Sequence, residues 1–137
     1  QIMLSKINSD MVNEYTNNVL NTAQSSRVSG KSGEDRRTIT RRNGKDYTIT
    51  VNGEKHVLNN TEIGECVGDL YFAEPRQVTR VFSESLGVFL PLKSIGGGMY
   101  ELIMPEGRKN IYKYENGKLV LVEVNHTFGK AVFVRIG

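Results

Sequence analysis

Three Asn-Gly pairs, Asn43-Gly44, Asn52-Gly53 and Asn116-Gly117, stand between runs that alternate apolar and polar residues. A two-residue hairpin needs positive φ at its turn, which Asn tolerates and Gly adopts without steric cost. Strand-like alternation on both sides of each pair predicts antiparallel hairpins from Arg36 to the end of the chain. Short strands joined by short turns over this length predict a single antiparallel meander, curled into a barrel or sandwich.

Residues 1–23 read differently. Leu4, Ile7, Met11, Val12, Tyr15, Val19, Leu20 and Ala23 recur at spacings of three and four, a pattern that lines one face of an α-helix. The intervening Asn, Ser, Asp and Thr are poor helix formers, so this N-terminal amphipathic helix depends on docking its apolar stripe. Residues 24–35, QSSRVSGKSGED, have the composition of a flexible linker, and 36–137 form the β domain.

Two hairpins predict registers. A two-residue turn at Asn116-Gly117 pairs Glu115 with Lys118, Tyr114 with Leu119, Tyr112 with Leu121 and Ile111 with Val122. Both faces of that hairpin are apolar enough to place it inside a sheet. At Asn52-Gly53, a three-residue loop pairing Ile49 with Val57 keeps like residues on one face. Val67–Ala73 reads as a further strand.

The chain of 137 residues fits one domain. No run approaches the ~20 apolar residues of a membrane helix. The single Cys66 excludes an internal disulfide and a cysteine zinc cluster. Eighteen basic against fifteen acidic residues leave a net charge of +3, too small and scattered to argue for nucleic acid. Arg36, Arg37, Arg41 and Arg42 bracket Thr-Ile-Thr, with Arg37 and Arg41 on one face beside Ile39 and Arg36 and Arg42 on the other. A solvated edge strand is the expected setting.

From Leu70 onward, the segments Leu70-Tyr71-Phe72 with Glu74-Pro75, Val81-Phe82-Ser83-Glu84, Gly87 with Leu90-Pro91, Tyr114-Glu115-Asn116-Gly117 and Val122-Glu123-Val124 with His126-Thr127 form a recurrent set. This half of the chain resembles a family of uncharacterised exported, all-β proteins of gut-dwelling Gram-negative bacteria. The resemblance implies an extracytoplasmic setting, periplasm or cell surface, and supplies no activity. Gln1 in place of Met fits removal of an export signal or a shortened chain.

No catalytic residue is expected. His126 follows a strand three residues after Glu123, so the two side chains point to opposite faces, and His56 is remote in sequence. Cys66 reads as a small buried hydrophobe. Ser83-Glu84-Ser85 reads as a turn stabilised by its own hydroxyls. The tri-glycine Gly96-Gly97-Gly98 lacks the lysine and following helix of a phosphate loop. Aromatic and polar groups suited to a groove or barrel mouth make Tyr112, Tyr114, Tyr100, Phe89, Arg80 and Glu84 the ligand-binding candidates, with Tyr47, Tyr71 and Phe72 as further walls. The expected role is binding a small molecule, glycan or envelope partner, with no metal, cofactor or nucleic acid. The alternatives are a hydrolase using Glu84, Glu123 and His126, or an assembly module docking through its N-terminal helix.

Overall fold

The computed structural model describes residues 7–29, 35–126 and 129–134, with side chains described from Met11 to Arg27 and from Asp35 to Val124. Its strands are β1 (Ile7–Thr16), β2 (Val19–Ser29), β3 (Arg36–Asn43), β4 (Asp46–Val51), β5 (Glu54–Leu58), β6 (Arg80–Ser83), β7 (Val88–Gly96), β8 (Met99–Ile103), β9 (Lys109–Glu115), β10 (Lys118–His126) and β11 (Gly129–Val134). Within each sheet, neighbours in sequence are neighbours in space: β1-β2-β3-β4-β5 form one sheet and β6-β7-β8-β9-β10-β11 another. The expected antiparallel meander is present, divided into two open sheets with no closed barrel. Among the described residues an isolated parallel bridge joins Cys66 with Phe82. The chain divides into two compact units, Gln1–Gly64 with Ser83–Val88, and Glu65–Phe82 with Phe89–Gly137.

The expected N-terminal helix is absent; Ile7–Thr16 and Val19–Ser29 form a hairpin instead. Its turn is Asn17-Asn18, with φ of 52° and 66°, a pair of left-handed residues that Asn supports by local hydrogen bonding. A bulge explains the misleading spacing. Glu14 pairs with Thr22 but Tyr15 pairs with Leu20, leaving Asn21 as an extra residue. The bulge turns Leu20 and Ala23, three apart, to the same buried side, where a regular strand would separate them. β2 then runs on through Gln24–Ser29, residues whose composition suggested a linker. Residues 30–34 and Leu4 lie outside the described residues.

The same device corrects the second hairpin. Glu115 pairs with Lys118 and Tyr114 with Leu119 as expected, but a bulge at Val120 then pairs Leu121 with Lys113 and Val122 with Tyr112. Leu119 and Val122 therefore share the buried face with Tyr112 and Tyr114. At Asn52-Gly53 the loop has two residues, pairing Val51 with Glu54 and Ile49 with His56. The expected three-residue loop assumed that β5 buries a face, yet Glu54 to Val57 are all exposed on this sheet edge and exert no register preference. In the first Asn-Gly pair, Asn43 itself pairs with Asp46, so Gly44-Lys45 form the turn. Val67–Tyr71 is a short 3-10 helix, not a strand, its start closed by Cys66 N–H donating to Asp69 Oδ2 at 2.9 Å.

β3 is the centre of its sheet, correcting the edge assignment. Its inward positions, Thr38 and Thr40, are small, β-branched and fully buried, while Arg37 and Arg41 stay on the open face and Arg36 and Arg42 are half-buried at the two ends. Both ladders can therefore form without burying a guanidinium in the middle of the strand. The first unit buries Leu20, Ala23, Tyr47, Ile49 and Ile63, with the Tyr47 hydroxyl donating to Leu20 O at 2.6 Å. The second buries Leu70, Phe82, Leu102, Tyr112, Tyr114 and Val122 among others.

Candidate functional site

A concavity in the first unit lies where β2 ends and β3 begins. Cross-strand register sets its floor: Val12 pairs with Gln24 and Gln24 with Ile39, so these three side chains share one rung of the open face. The next outward rung brings Ser26 beside Arg37; the ladder then ends with Arg27 opposite Arg36, one residue on and so on the face of Thr38. Together with Asp35 and Asn52 they line a cleft of about 440 Å3. Val12 is 59% exposed, an unusual fate for valine in a strand and one that leaves apolar surface at the mouth of the cleft.

Asn52 fixes the wall of this cleft. Its Oδ1 accepts from Arg37 N–H at 2.8 Å and its Nδ2 donates to Asp35 O at 3.2 Å, while its own N–H donates to Arg37 O at 2.9 Å. Three hydrogen bonds from one turn residue thus set the backbone that carries Asp35, Arg36 and Arg37. On the inner side, Thr38 Oγ1 donates to Ser85 O at 2.6 Å and Arg36 Nη1 lies 3.4 Å from Ser85 Oγ.

Ser85 belongs to the turn Ser83–Val88, which is part of the first unit. Ser83 Oγ accepts from Leu86 N–H at 3.0 Å and Ser83 O from Gly87 N–H at 2.8 Å, so the hydroxyl shapes the turn. The same turn carries Glu84 to 1% exposure, where Oε2 accepts from Asn13 Nδ2 at 2.7 Å. His56 Nε2 sits 3.1 Å from Gly87 O, a hydrogen bond that ties β5 to this turn.

A family model described as a domain of unknown function, DUF6134, matches residues 2–136. The chain belongs to this family. Neither a curated protein nor a solved structure matches it.

The aromatic candidates of the DUF6134 chain lie in the second unit and pack against one another. Tyr112, Tyr114 and Tyr100 are 3%, 3% and 6% exposed. Tyr100 meets Tyr114 edge to face at 5.6 Å between centroids, and Tyr71 meets Tyr112 likewise at 5.9 Å. Tyr114 donates to Leu70 O at 2.5 Å, and burial pushes its phenol far above the ordinary value. Tyr100 donates to Glu74 Oε2 at 2.7 Å; that bond, more than Arg76 nearby, holds the Glu74 carboxyl below the usual range. Burial and the same carboxylate raise Tyr100 in turn. These hydroxyls lock the 3-10 helix and its following loop onto the sheet. Half-buried Phe89 and exposed Arg80 remain open to solvent, with the guanidinium carbon 3.8 Å from the ring centroid. Glu65 is raised by burial and by the neighbouring Asp69.

Cys66 is fully buried. No group of three or more His, Cys, Asp or Glu able to hold a metal ion occurs among the described residues. The His126 side chain lies outside them. Sequence reasoning missed Val12, Gln24, Arg27, Asp35 and Asn52 as cleft residues because it placed the first in a helix and the next three in a linker. The signal available was symmetry: Ser25-Ser26-Arg27 and Arg36-Arg37-Thr38 flank a Gly- and Ser-rich centre, as the two arms of a hairpin do.

Proposed function

We propose that this DUF6134 chain is a ligand-binding module whose site is the cleft between Val12, Ile39 and Asn52, and that it works outside the cytoplasm, in the periplasm or at the cell surface. The observation that supports binding is the cleft itself. At about 440 Å3 it has the size of a small-molecule site, roughly 300–1,000 Å3. It combines apolar Val12 and Ile39 with hydrogen-bonding Gln24, Ser26 and arginine side chains, the mixture that orients a small molecule or one unit of a glycan. The setting rests on the resemblance of the segment from Leu70 onward to exported proteins. No helix of the described residues is long and apolar enough to cross a membrane.

The hydrolase reading draws less support. Glu84 is buried and holds Asn13, which suits a carboxylate that fixes a turn better than one that receives substrate. Docking through an N-terminal helix has no helix to use. Backbone amide spectra of the labelled chain, titrated with neutral and charged sugars and amino acids, test the proposal. Binding should shift Gln24, Ser26, Ile39 and Asn52, and Ile39→Trp, which fills the cleft, should abolish the response. Shifts confined to the Arg80–Phe89 surface would refute it.

A further inference from the structure

We propose that Asn116-Gly117 is a site of spontaneous covalent modification, at which the asparagine loses ammonia through a succinimide and water opens the ring to aspartate or isoaspartate. The fold shields the same dipeptide at Asn43-Gly44 and Asn52-Gly53. This inference stands apart from what the cleft binds.

The dipeptide supplies the reaction. The Gly117 main-chain nitrogen, once its proton has passed to solvent base, attacks Asn116 Cγ. A bond forms between that nitrogen and Cγ, the Cγ–Nδ2 bond breaks, and Nδ2 leaves as ammonia with protons from solvent. Water then adds to one of the two ring carbonyls and breaks its bond to the ring nitrogen. Opening at Cγ leaves aspartate; opening at the main-chain carbonyl leaves isoaspartate, with the chain running through the former side chain. Glycine in the following position favours ring closure, because no β-carbon crowds the attacking nitrogen or limits the backbone. Water is the co-reactant, and nothing is oxidised or reduced.

What separates the three pairs is where the structure holds each carboxamide. Ring closure needs the asparagine Cγ to reach the next main-chain nitrogen. The Asn52 carboxamide is bound at both ends to the chain opposite it, accepting from Arg37 N–H at 2.8 Å and donating to Asp35 O at 3.2 Å. Both bonds must break before Cγ can swing back to Gly53. Asn43 lies within β3, in the ladder opposite Asp46, and its Nδ2 donates to Thr48 Oγ1 at 3.0 Å. Asn116 is instead the first residue of the exposed turn between β9 and β10, at a φ of 54°. Among the described residues no hydrogen bond ties its carboxamide to a strand. Gly117, at a φ of +79°, has nothing within 4 Å of where a β-carbon would stand, so the turn has room to deform toward the ring. Isoaspartate then lengthens the main chain inside a tight turn. That turn sets Tyr114 opposite Leu119, both buried, so the modified hairpin loses register beside the core of the second unit.

The experiment incubates the whole chain in mildly alkaline buffer, folded and in urea. Peptide mass spectrometry follows each Asn-Gly pair, with fragmentation that separates aspartate from isoaspartate. In urea the three pairs should convert at similar rates, since the dipeptide is the same. In the folded chain Asn52 should slow by about tenfold or more, the effect on a rate of hydrogen bonds that must first break. Asn43 should slow as well, whereas Asn116 should stay within about threefold of its urea rate, as an exposed turn opens at little cost. Asn116→Gln should remove the fast phase of ammonia release from the folded chain, and Asn43→Gln should leave that phase in place. The site-by-site rates come from the unaltered chain, so they decide the matter even where a variant folds poorly. A folded rate at Asn52 or Asn43 equal to that at Asn116 would overturn the assignment, and so would an Asn116 rate slowed by folding as much as that of Asn52. Amide spectra of the aged chain should show new signals for Tyr114 and Leu119; isoaspartate at this position with those signals unmoved would overturn the loss of register.

Discussion

Gly87 is the position where one methyl group should matter most. Its φ of +73° lies in the left-handed region, and a β-carbon built there would meet Ile49 Cγ2 at 2.8 Å, Val51 Cγ2 at 3.3 Å and His56 Cε1 at 3.6 Å. Two costs then add in Gly87→Ala. The left-handed backbone costs an L-residue roughly 1–2 kcal/mol. Forcing a methyl against buried Ile49, in a core packed at crystal-like density, costs roughly 1–3 kcal/mol more. The total should be about 2–5 kcal/mol. Gly53→Ala supplies the control: its φ is +88°, but nothing lies within 4 Å of the added carbon. That variant should lose only the conformational part, about 1 kcal/mol. Urea unfolding followed by circular dichroism measures both. A second comparison isolates the clash. Ile49→Leu removes the γ2 methyl at nearly constant volume, and combined with Gly87→Ala it should recover at least about 0.5 kcal/mol relative to additive losses. Equal losses at Gly87 and Gly53, or strict additivity with Ile49→Leu, would refute the close approach of this turn to β4.

Two further outcomes follow from buried polar groups. Thr40 is fully buried and its Oγ1 has no hydrogen-bond partner among the described residues, so Thr40→Val should stabilise the chain by about 1 kcal/mol in the same urea assay; a loss of stability would show that the hydroxyl has a partner. Glu74 is held below the ordinary carboxylate value chiefly by the Tyr100 hydroxyl, so its contribution is present above the unfolded-state value and is lost as pH falls through the lower folded-state value. Tyr100→Phe should move the carbon-13 titration of Glu74 upward toward the ordinary range and flatten that acid limb, and an unchanged titration would assign the depression to Arg76 instead.

Most of the β architecture was legible because turn chemistry is local. Asn116-Gly117 needs only its own φ values, and the pairs beside it, Glu115 with Lys118 and Tyr114 with Leu119, follow from geometry. What escaped was bulge position. Asn21 and Val120 each insert one residue, and each makes residues three apart, Leu20 with Ala23 and Leu119 with Val122, face the same core. Spacing of three is also the signature of a helix, so at the N-terminus the bulge imitated one. The counter-signal was Asn17-Asn18, a pair able to adopt a left-handed turn without glycine. The loop at Asn52-Gly53 escaped for another reason: β5 lies exposed on an edge, and a strand that buries nothing carries no pattern from which to read register. Cleft residues were illegible individually because Arg27 and Arg36 acquire meaning only as cross-strand partners.

The composition of β3 argues for that cleft from another direction. A central strand usually carries apolar side chains toward the core and leaves charge to the edges, where charge also blocks pairing with other chains. Here the central strand carries four arginines and buries threonine at both inward positions. Neither choice adds to the hydrophobic core, and Thr40 leaves a hydroxyl buried there without a partner among the described residues. Thr38 and Arg36 have another use: their side chains meet Ser85 and help hold the Ser83–Val88 turn. Arg37, on the opposite face, lines the cleft beside Asn52, which accepts from its backbone N–H. Places where a fold departs from what stability alone would select are where function is to be sought. On that reasoning Arg37, outward at the start of β3, is the arginine to test for ligand contact in the proposed cleft, and the inward Thr38 keeps the strand that carries it in place.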